Sequence, residues 1–308
     1  MVRTMSQTTN GGTDLESEVE ERLLEVRRLL EAMGDVAVML SGGVDSALLA
    51  ALAHEALGRH AMAVTIESPL LSADERADAV RLAAQVGIRH EVLPMDELED
   101  AGFVANPRDR CYLCKRMRLE AVVRWAAERG VPWVLDGSNA DDRGDYRPGM
   151  RALSEFGAVR SPLLEAGMTK AEVRAAARAM GLFTWNKPAR ACLASRIPYG
   201  EPVTAEALRR VEAAERFLAG ILPPAAQFRV RAHGDLARVE AEDQDLPRVL
   251  ARREDVAEGL RAAGFRYVTL DLAGYRMGSL NEALGQGAAK GGPVPAGTSE
   301  AVGTKGVF

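Results

Sequence analysis

An α/β fold with a doubly wound parallel sheet, followed by a smaller α+β domain, is predicted by three observations. Short, wholly apolar runs alternate with helical segments across residues 15–198. A loop of glycines and serines follows the first apolar run. Beyond residue 198 the alternation gives way to a hairpin pattern. Strands separated by single helices imply a parallel sheet covered on both faces.

Taken in order, residues 1–14 are polar and glycine-rich and are expected to be disordered. Residues 15–33 (LESEVEERLLEVRRLLEAM) carry apolar side chains at helical spacing. VAVML at 36–40 is a fully apolar run of the buried parallel-strand kind. Residues 44–57 read as helix and 61–66 (AMAVTI) as strand. Over 72–87, Ser72 stands at an N-cap with Glu75 at the capping-box position. Residues 90–93 are strand, 115–129 helix and 133–137 (WVLDG) strand. Residues 169–181 form a further capped helix ending at glycine. The second domain, 199–284, reads as a helix (204–219), strands 227–233 and 236–241 joined across His233-Gly234-Asp235, a helix (246–263) and a strand (266–272). Residues 285–308, rich in Gly, Pro and Ala, are expected to be a disordered tail.

Composition excludes several classes. The 44 acidic residues outnumber the 39 basic ones, giving a net charge of −5, so the basic stripe of a nucleic-acid binder is missing. No apolar run approaches the length of a membrane helix, and MVRTMSQTTNGGTD lacks a signal-peptide core. Three cysteines are too few and too odd in number for a disulfide framework. A reduced, cytoplasmic protein is expected.

The strongest local signal is VAVMLSGGVDSALLA (36–50). A buried strand ends, two glycines and two serines follow, and a helix begins near Val44. That junction offers free N–H groups at the positive end of a helix dipole, a ready anion site. Gly42 and Gly43 let the backbone approach a phosphate, and Ser41 and Ser46 can donate hydroxyl hydrogen bonds. Asp45 would repel a phosphate unless a cation intervened, which assigns it to Mg²⁺. The Walker lysine is missing, so the loop is not that of a kinase or GTPase.

The motif resembles the N-type ATP pyrophosphatases, the PP-loop superfamily. The resemblance implies ATP cleavage between the α- and β-phosphates, pyrophosphate held by residues 41–46, and adenylylation of an acceptor oxygen. It implies also that DGSNADD (136–142) lies at a neighbouring strand end, where Asn139 and the aspartates of the segment would contact nucleotide or Mg²⁺.

Cys111 and Cys114 form a C-x₂-C in NPRDRCYLCKR, and Cys192 lies 78 residues further on in KPARACLASRIPYG. The residues alone leave three readings: unrelated buried thiols, a zinc site needing a fourth ligand that none of the four histidines offers at close spacing, or an iron–sulfur cluster on three cysteines with one open iron. Arg229 and Arg231 share one face of the strand 227–233 and suggest a bidentate phosphate clamp. Arg147 and Arg151 are weaker candidates of that kind, and Trp133 and Trp185 read as packing residues.

The segments SGGVDSALLA, CYLCKRMR, DGSNADDRGDYRPGMRAL, CLASRIPYG, RVRAHGDLARVE and VTLDLAGYRMGSLN together resemble the LarE family. These are ATP-dependent sulfur transferases of nickel-pincer cofactor synthesis, which serve lactate racemase maturation. The resemblance implies a pyridinium-3,5-biscarboxylic acid mononucleotide substrate whose carboxylates become thiocarboxylates. One form of the family sacrifices the sulfur of a single cysteine matching Cys192. The other carries three cysteines and a [4Fe–4S] cluster that donates a bound sulfide, and this chain is similar to that form. Lys115 is then expected near the ATP phosphates or the adenylate, and Arg196 at the cluster or on a substrate carboxylate. A sulfide source and homo-oligomeric, even hexameric, assembly are further implied. A tRNA thiolase of the same superfamily is the alternative that the net charge disfavours.

Overall fold

The computed structural model describes residues 11–144, 148–188, 191–276 and 278–280. Helix α1 (Gly11–Met33) leads to β1 (Val36–Met39), α2 (Val44–Leu57), β2 (Ala61–Glu67), α3 (Ala73–Val86) and β3 (Arg89–Pro94). A short α4 (Ala101–Val104) precedes α5 (Arg110–Ala127), β4 (Trp133–Leu135), α6 (Pro148–Leu153), β5 (Val159–Arg160), α7 (Pro162–Glu165) and α8 (Lys170–Ala179). The five strands are all parallel, in the order β3-β2-β1-β4-β5.

Val36, Ala37 and Val38 of β1 are fully buried, as a central strand covered on both faces requires. Helix α2 is apolar all round because it is enclosed: Leu48, Leu49 and Leu52 have no exposed surface. Ser72 and Glu75 close the expected capping box on α3, and Thr169 with Glu172 closes one on α8.

The second part contains α9 (Ala205–Ala219), β6 (Phe228–His233), β7 (Leu236–Ala241), α10 (Leu246–Ala251), α11 (Arg253–Ala262) and β8 (Tyr267–Leu270). β6 and β7 pair antiparallel across Gly234, whose φ of 53° suits a tight hairpin, and β8 joins β7 in parallel. Leu70 and Phe103 from the first part pack in one core with Val230, Val239 and Phe265 from the second, together with Leu193 and Ile197 of the connecting segment. The two parts thus share a hydrophobic joint.

Four boundaries differ from the sequence expectation. Helix α1 begins at Gly11, inside the segment expected to be disordered, because periodicity marks an apolar face and carries no signal for polar turns ahead of it. Residues 1–10 and the expected tail lie outside the described residues. Helix α5 begins at Arg110 rather than near 115, so the C-x₂-C occupies its opening turns instead of a loop. The helix expected over 246–263 is two helices that meet at Arg252. β5 has no counterpart in the sequence expectation: it pairs with β4 at only two positions, too few to leave a periodic trace.

Candidate active site

The chain leaves β1 toward β2 and β3 and returns to β4 on the other side of β1. That reversal opens a crevice at the carboxyl ends of β1 and β4, where ligands of open α/β sheets bind. Residues 41–46 follow β1 and residues 136–139 follow β4, so both loops face this crevice. Gly42 has φ of 74°, and a Cβ there would stand 2.8 Å from the Glu75 carbonyl oxygen. Gly43 is the N-cap of α2 and offers no side chain, so the first-turn N–H groups are not capped by it. Val44 is 3% exposed and anchors the helix start. The Ser46 hydroxyl donates to the Gly43 carbonyl at 3.2 Å and accepts from the Ser41 amide at 3.2 Å. At Gly137 a Cβ would lie 3.0 Å from the Ser46 nitrogen, so only glycine lets the β4 loop approach this closely.

Cations surround the loop. Lys170, at the start of α8, is ion-paired with Asp45, and the Asn139 side-chain amide donates to the same carboxylate at 3.0 Å. The Lys187 ammonium donates to the Gly42 carbonyl at 2.9 Å and to Asp78 at 2.6 Å. Lys115 is ion-paired with Asp136 at the end of β4, and its stem lies against Gly149. Burial alone would raise the Asp136 carboxyl, but Lys115 and Ser138 outweigh it and hold that pKa below its ordinary value.

Sequence reasoning missed Lys170 and Lys187, and it expected Asp136 on nucleotide or Mg²⁺ without foreseeing its pairing with Lys115. Lys170 does leave a signal: a lysine in the first turn of a helix opposes the macrodipole and asks for a nearby acid. Asp136 stands in the DGSN segment, directly after its strand. Lys187 has no distinguishing spacing.

Cys111 and Cys114 lie three residues apart on α5, on one helix face. Cys192 precedes a 3₁₀ turn, Leu193–Arg196, which is fixed by the Leu193 amide on the Leu70 carbonyl at 3.2 Å. Cys192 is five residues beyond Lys187, a span of at most about 18 Å from the residue that grips the phosphate loop. The three thiols influence one another. Cys111 is exposed, yet partial desolvation by its surroundings raises its pKa and Cys192 adds to it; burial pushes Cys114 up to about 12, with Glu97, Cys192 and Cys111 contributing and Arg118 opposing. The metal-free Cys111 and Cys114 thiols are therefore neutral at pH 7. Among the described residues no group of three or more His, Cys, Asp or Glu is drawn together as a ready single-ion site.

Behind Cys114 lies Glu97, which is completely buried. Its Oε1 accepts from Arg118 Nε at 2.7 Å and lies 3.8 Å from the Cys114 sulfur, while Arg118 also donates to the Ser68 hydroxyl at 3.0 Å.

The structure places the three expected anion-binding arginines inside the joint. Arg196 is 2% exposed, with both arms of its guanidinium on Glu215 at 2.8 Å and a third nitrogen on the Ala191 and Cys192 carbonyls at 2.6 and 3.1 Å. It holds the Cys192 segment rather than standing open to a substrate carboxylate. Arg231 grips buried Glu240 with two bonds and donates to the Ser195 carbonyl and the Ser279 hydroxyl. Arg229 donates to the Phe228 carbonyl at 2.6 Å and stacks on Tyr275; burial, with Arg196 and Arg231 nearby, lowers its pKa. The pair shares a face as expected, but Arg231 is occupied by a carboxylate that the strand reading did not foresee. Arg147 lies outside the described residues. Arg151 stacks on Tyr112, Trp133 carries Arg160, and Trp185 carries Arg178, all packing roles. A cleft of about 260 Å³ opens beside the Cys192 segment, lined by Glu75, Leu193, Arg196, Glu215, Phe228 and Arg229 among others.

No helix among the described residues is long and apolar enough to cross a membrane. Residues 18–183 match the asparagine synthase family. The chain is 39% identical over 256 residues to the pyridinium-3,5-bisthiocarboxylic acid mononucleotide synthase of Lactiplantibacillus plantarum, covering 83% of this chain and 92% of that protein. A Synechocystis protein described as uncharacterised is 40% identical over 86% of this chain and 99% of its own length. A glutamine-hydrolysing GMP synthase chain of Methanococcus maripaludis is 28% identical over 53% of this chain and 55% of its own length. The likeness to an amidating enzyme thus covers about half of the chain, whereas the likeness to the thiocarboxylate-forming one extends over most of it. The chain belongs to the LarE family of ATP-using sulfur transferases, within the PP-loop ATP pyrophosphatases.

Proposed function

We propose that this protein adenylylates the carboxylates of pyridinium-3,5-biscarboxylic acid mononucleotide and replaces each AMP by sulfur. The observation that carries this reading is that both cysteine segments are tied to the switch-point loops, Lys115 of the Cys111–Cys114 helix by its pairing with Asp136 after β4 and Lys187, five residues before Cys192, by its bond to the Gly42 carbonyl, while the three thiols interact electrostatically. In this reading residues 15–198 form the ATP pyrophosphatase domain, and 199–284 form the domain that covers the sulfur site.

The residues at the loop account for the first half-reaction. Ser41, Ser46 and the amides of Gly42, Gly43 and Val44 receive the β- and γ-phosphates, and Lys187 and Lys170 stand where pyrophosphate charge accumulates. A substrate carboxylate oxygen attacks the α-phosphorus, the α–β bridging bond breaks, and pyrophosphate leaves. Asp45 would hold Mg²⁺ with Asn139 beside it: the Asp45 carboxylate already binds a cation, the Lys170 ammonium, on one oxygen while its other oxygen accepts from the Asn139 amide, and oxygen donors suit this hard ion.

The donor set of Cys111, Cys114 and Cys192 fits a [4Fe–4S] cluster with one iron free of protein ligands. Cys111 and Cys114 share one face of α5, and each interacts electrostatically with Cys192, a donor set of soft sulfur ligands that suits iron–sulfur chemistry. When bound, the cluster would supply a sulfide that can be replenished from a sulfide source. Transfer of sulfur at the sulfide level to the acyl carbon would break the C–O bond to AMP and leave a thiocarboxylate, with Cys111, Cys114 and Cys192 as the residues that would hold the donor. Arg118 beside Cys114 and Arg196 beside Cys192 supply positive charge around the anionic thiolate set. A homo-oligomer is the expected assembly.

The test is anaerobic incubation of the iron-loaded protein with ATP, Mg²⁺ and the pyridinium dicarboxylate nucleotide, followed by product mass. Exchange of oxygen for sulfur is expected, with AMP and pyrophosphate in equal amounts. An amide, or hydrolysis without sulfur incorporation, would overturn the reading. Conversion of Cys192 to dehydroalanine during turnover would assign the sulfur to that side chain instead.

A further inference from the structure

Asn106 is the one non-glycine residue among those described with positive φ, 54°, and it is completely buried. Such a conformation costs of order 1 kcal/mol and persists where surrounding structure over-determines it. Here the surroundings are the chain on both sides of the joint. The Asn106 amide donates to the carbonyls of Pro198 at 2.7 Å and Glu201 at 2.8 Å, with the Ile197 carbonyl at 3.4 Å. Its backbone carbonyl accepts from Gly200 at 3.0 Å, and its side-chain oxygen accepts from Arg110.

Arg110 is 2% exposed and continues the connection. It donates to the Ala194 carbonyl at 2.9 Å and stacks on Tyr199, and its positive charge acts on the Cys111 thiol. Cys111 is the next residue in the chain, and Ala194 is two residues past Cys192. An unbroken polar path therefore runs from one cysteine segment to the other. Its bonds run between the cysteine segments and not to residues 41–46, and ATP binding has no use for it.

We propose that Asn106 and Arg110 form a clasp that sets the distance between the Cys111–Cys114 helix and the Cys192 segment, acting as positioning residues for the three-thiol centre. The inference rests on the sulfur-transfer reading of those cysteines. Asn106 is suited to it because asparagine tolerates left-handed backbone and carries two donors and an acceptor on a short stem. Buried networks of this kind fix one geometry when every member is satisfied.

Asn106→Gly tests the clasp, since glycine keeps the positive φ and removes only the amide. Two readings are taken. In metal-free protein, a short thiol-bridging reagent reports how often Cys111 and Cys192 come within reach; in protein reconstituted anaerobically with Fe²⁺ and sulfide, bound iron and sulfide per chain are counted. The variant should cross-link at least about tenfold more slowly, as expected for misplaced reacting groups. It should also hold iron about 10–100-fold more weakly, the usual loss when an outer-shell partner is removed. ATP affinity should match wild type. Wild-type cross-linking and iron retention in Asn106→Gly, with only a lower melting temperature, would overturn the clasp. Should that variant be recovered unfolded, Arg110→Met gives the same two readings while keeping an apolar stem on Tyr199. A wild-type chain that cross-links but takes up no iron sinks the three-thiolate centre instead, and the cross-linking arm still decides the clasp.

Discussion

Lys170 on α8 closes on Asp45 in the first turn of α2, so the acid assigned to a metal ion already holds an internal cation. On the proposed reading, Mg²⁺ entering with ATP would displace that ammonium and leave it beside the phosphates. Lys170→Met should therefore bind Mg²⁺ more tightly in the absence of nucleotide yet release pyrophosphate more slowly. Calorimetry with Mg²⁺ alone and a pyrophosphate assay read the two effects separately. Asp45→Asn should lower pyrophosphate release by about 100-fold or more, the scale of one lost charge-stabilising contact (about 2.7 kcal/mol). Chelation of Mg²⁺ should reproduce that loss in the wild type.

Gly42→Ala should damage both folding and nucleotide binding. A side chain in the left-handed region costs about 1–2 kcal/mol. The added Cβ also meets the Glu75 carbonyl at 2.8 Å, and a backbone oxygen in the first turn of α3 cannot swing aside as a side-chain tip would. Thermal unfolding and ATP titration of this variant should both shift, whereas Gly34→Ala, with open space at its Cβ and φ of 76°, should lower stability alone.

The alternation of strands with helices and the position of the phosphate loop are legible because both leave local marks. β1 is apolar without a break, and SGGVDS states its backbone needs in residue types. Partnerships across the fold leave almost none. Arg229 and Arg231 are readable as sharing one face, but not that Glu240, opposite Arg229 on β7, reaches diagonally to Arg231, since pairing two strands fixes neighbours that one strand cannot show. In sequence Arg196 looks like a free cation next to Cys192; only the placement of Glu215 on α9 makes it a brace. Asn106 escapes notice because positive φ in an asparagine has no sequence signature apart from the turn it enters.

The raised pKa of Cys114 gives metal-free protein a distinctive alkaline behaviour. Its folded value, about 12, lies above the ordinary 9.0, so the neutral thiol is the form that the fold favours. That contribution is whole below about pH 9 and is lost as pH climbs from there toward 12. Alkylation at pH 7.5 should leave Cys114 largely unmodified in native protein and reach it readily in urea. Loading the site must strip this proton, so iron uptake should release acid and strengthen as pH rises. A Cys114→Ala protein should lose less stability than wild type between pH 9 and 11.

Glu97 offers the sharpest stability test, because it is a fully buried carboxylate with one oxygen on Arg118 and the other, Oε2, without a hydrogen-bond partner. Burying such a charge is tolerable only while its cation remains. Removing one partner of a buried pair costs about 3–5 kcal/mol, since the survivor is left uncompensated. Arg118→Met should therefore lower the melting temperature by roughly 10 °C for a domain of this size. The double variant Arg118→Met with Glu97→Leu should recover most of that loss, because two apolar groups replace two charges and no orphan remains. If the pair served folding alone, the recovered double variant would bind iron as the wild type does. The contact of Glu97 with the Cys114 sulfur argues for a different result. With Arg118 gone, the anionic thiolate set loses its nearest counter-charge, so the double variant should be stable yet hold iron more weakly.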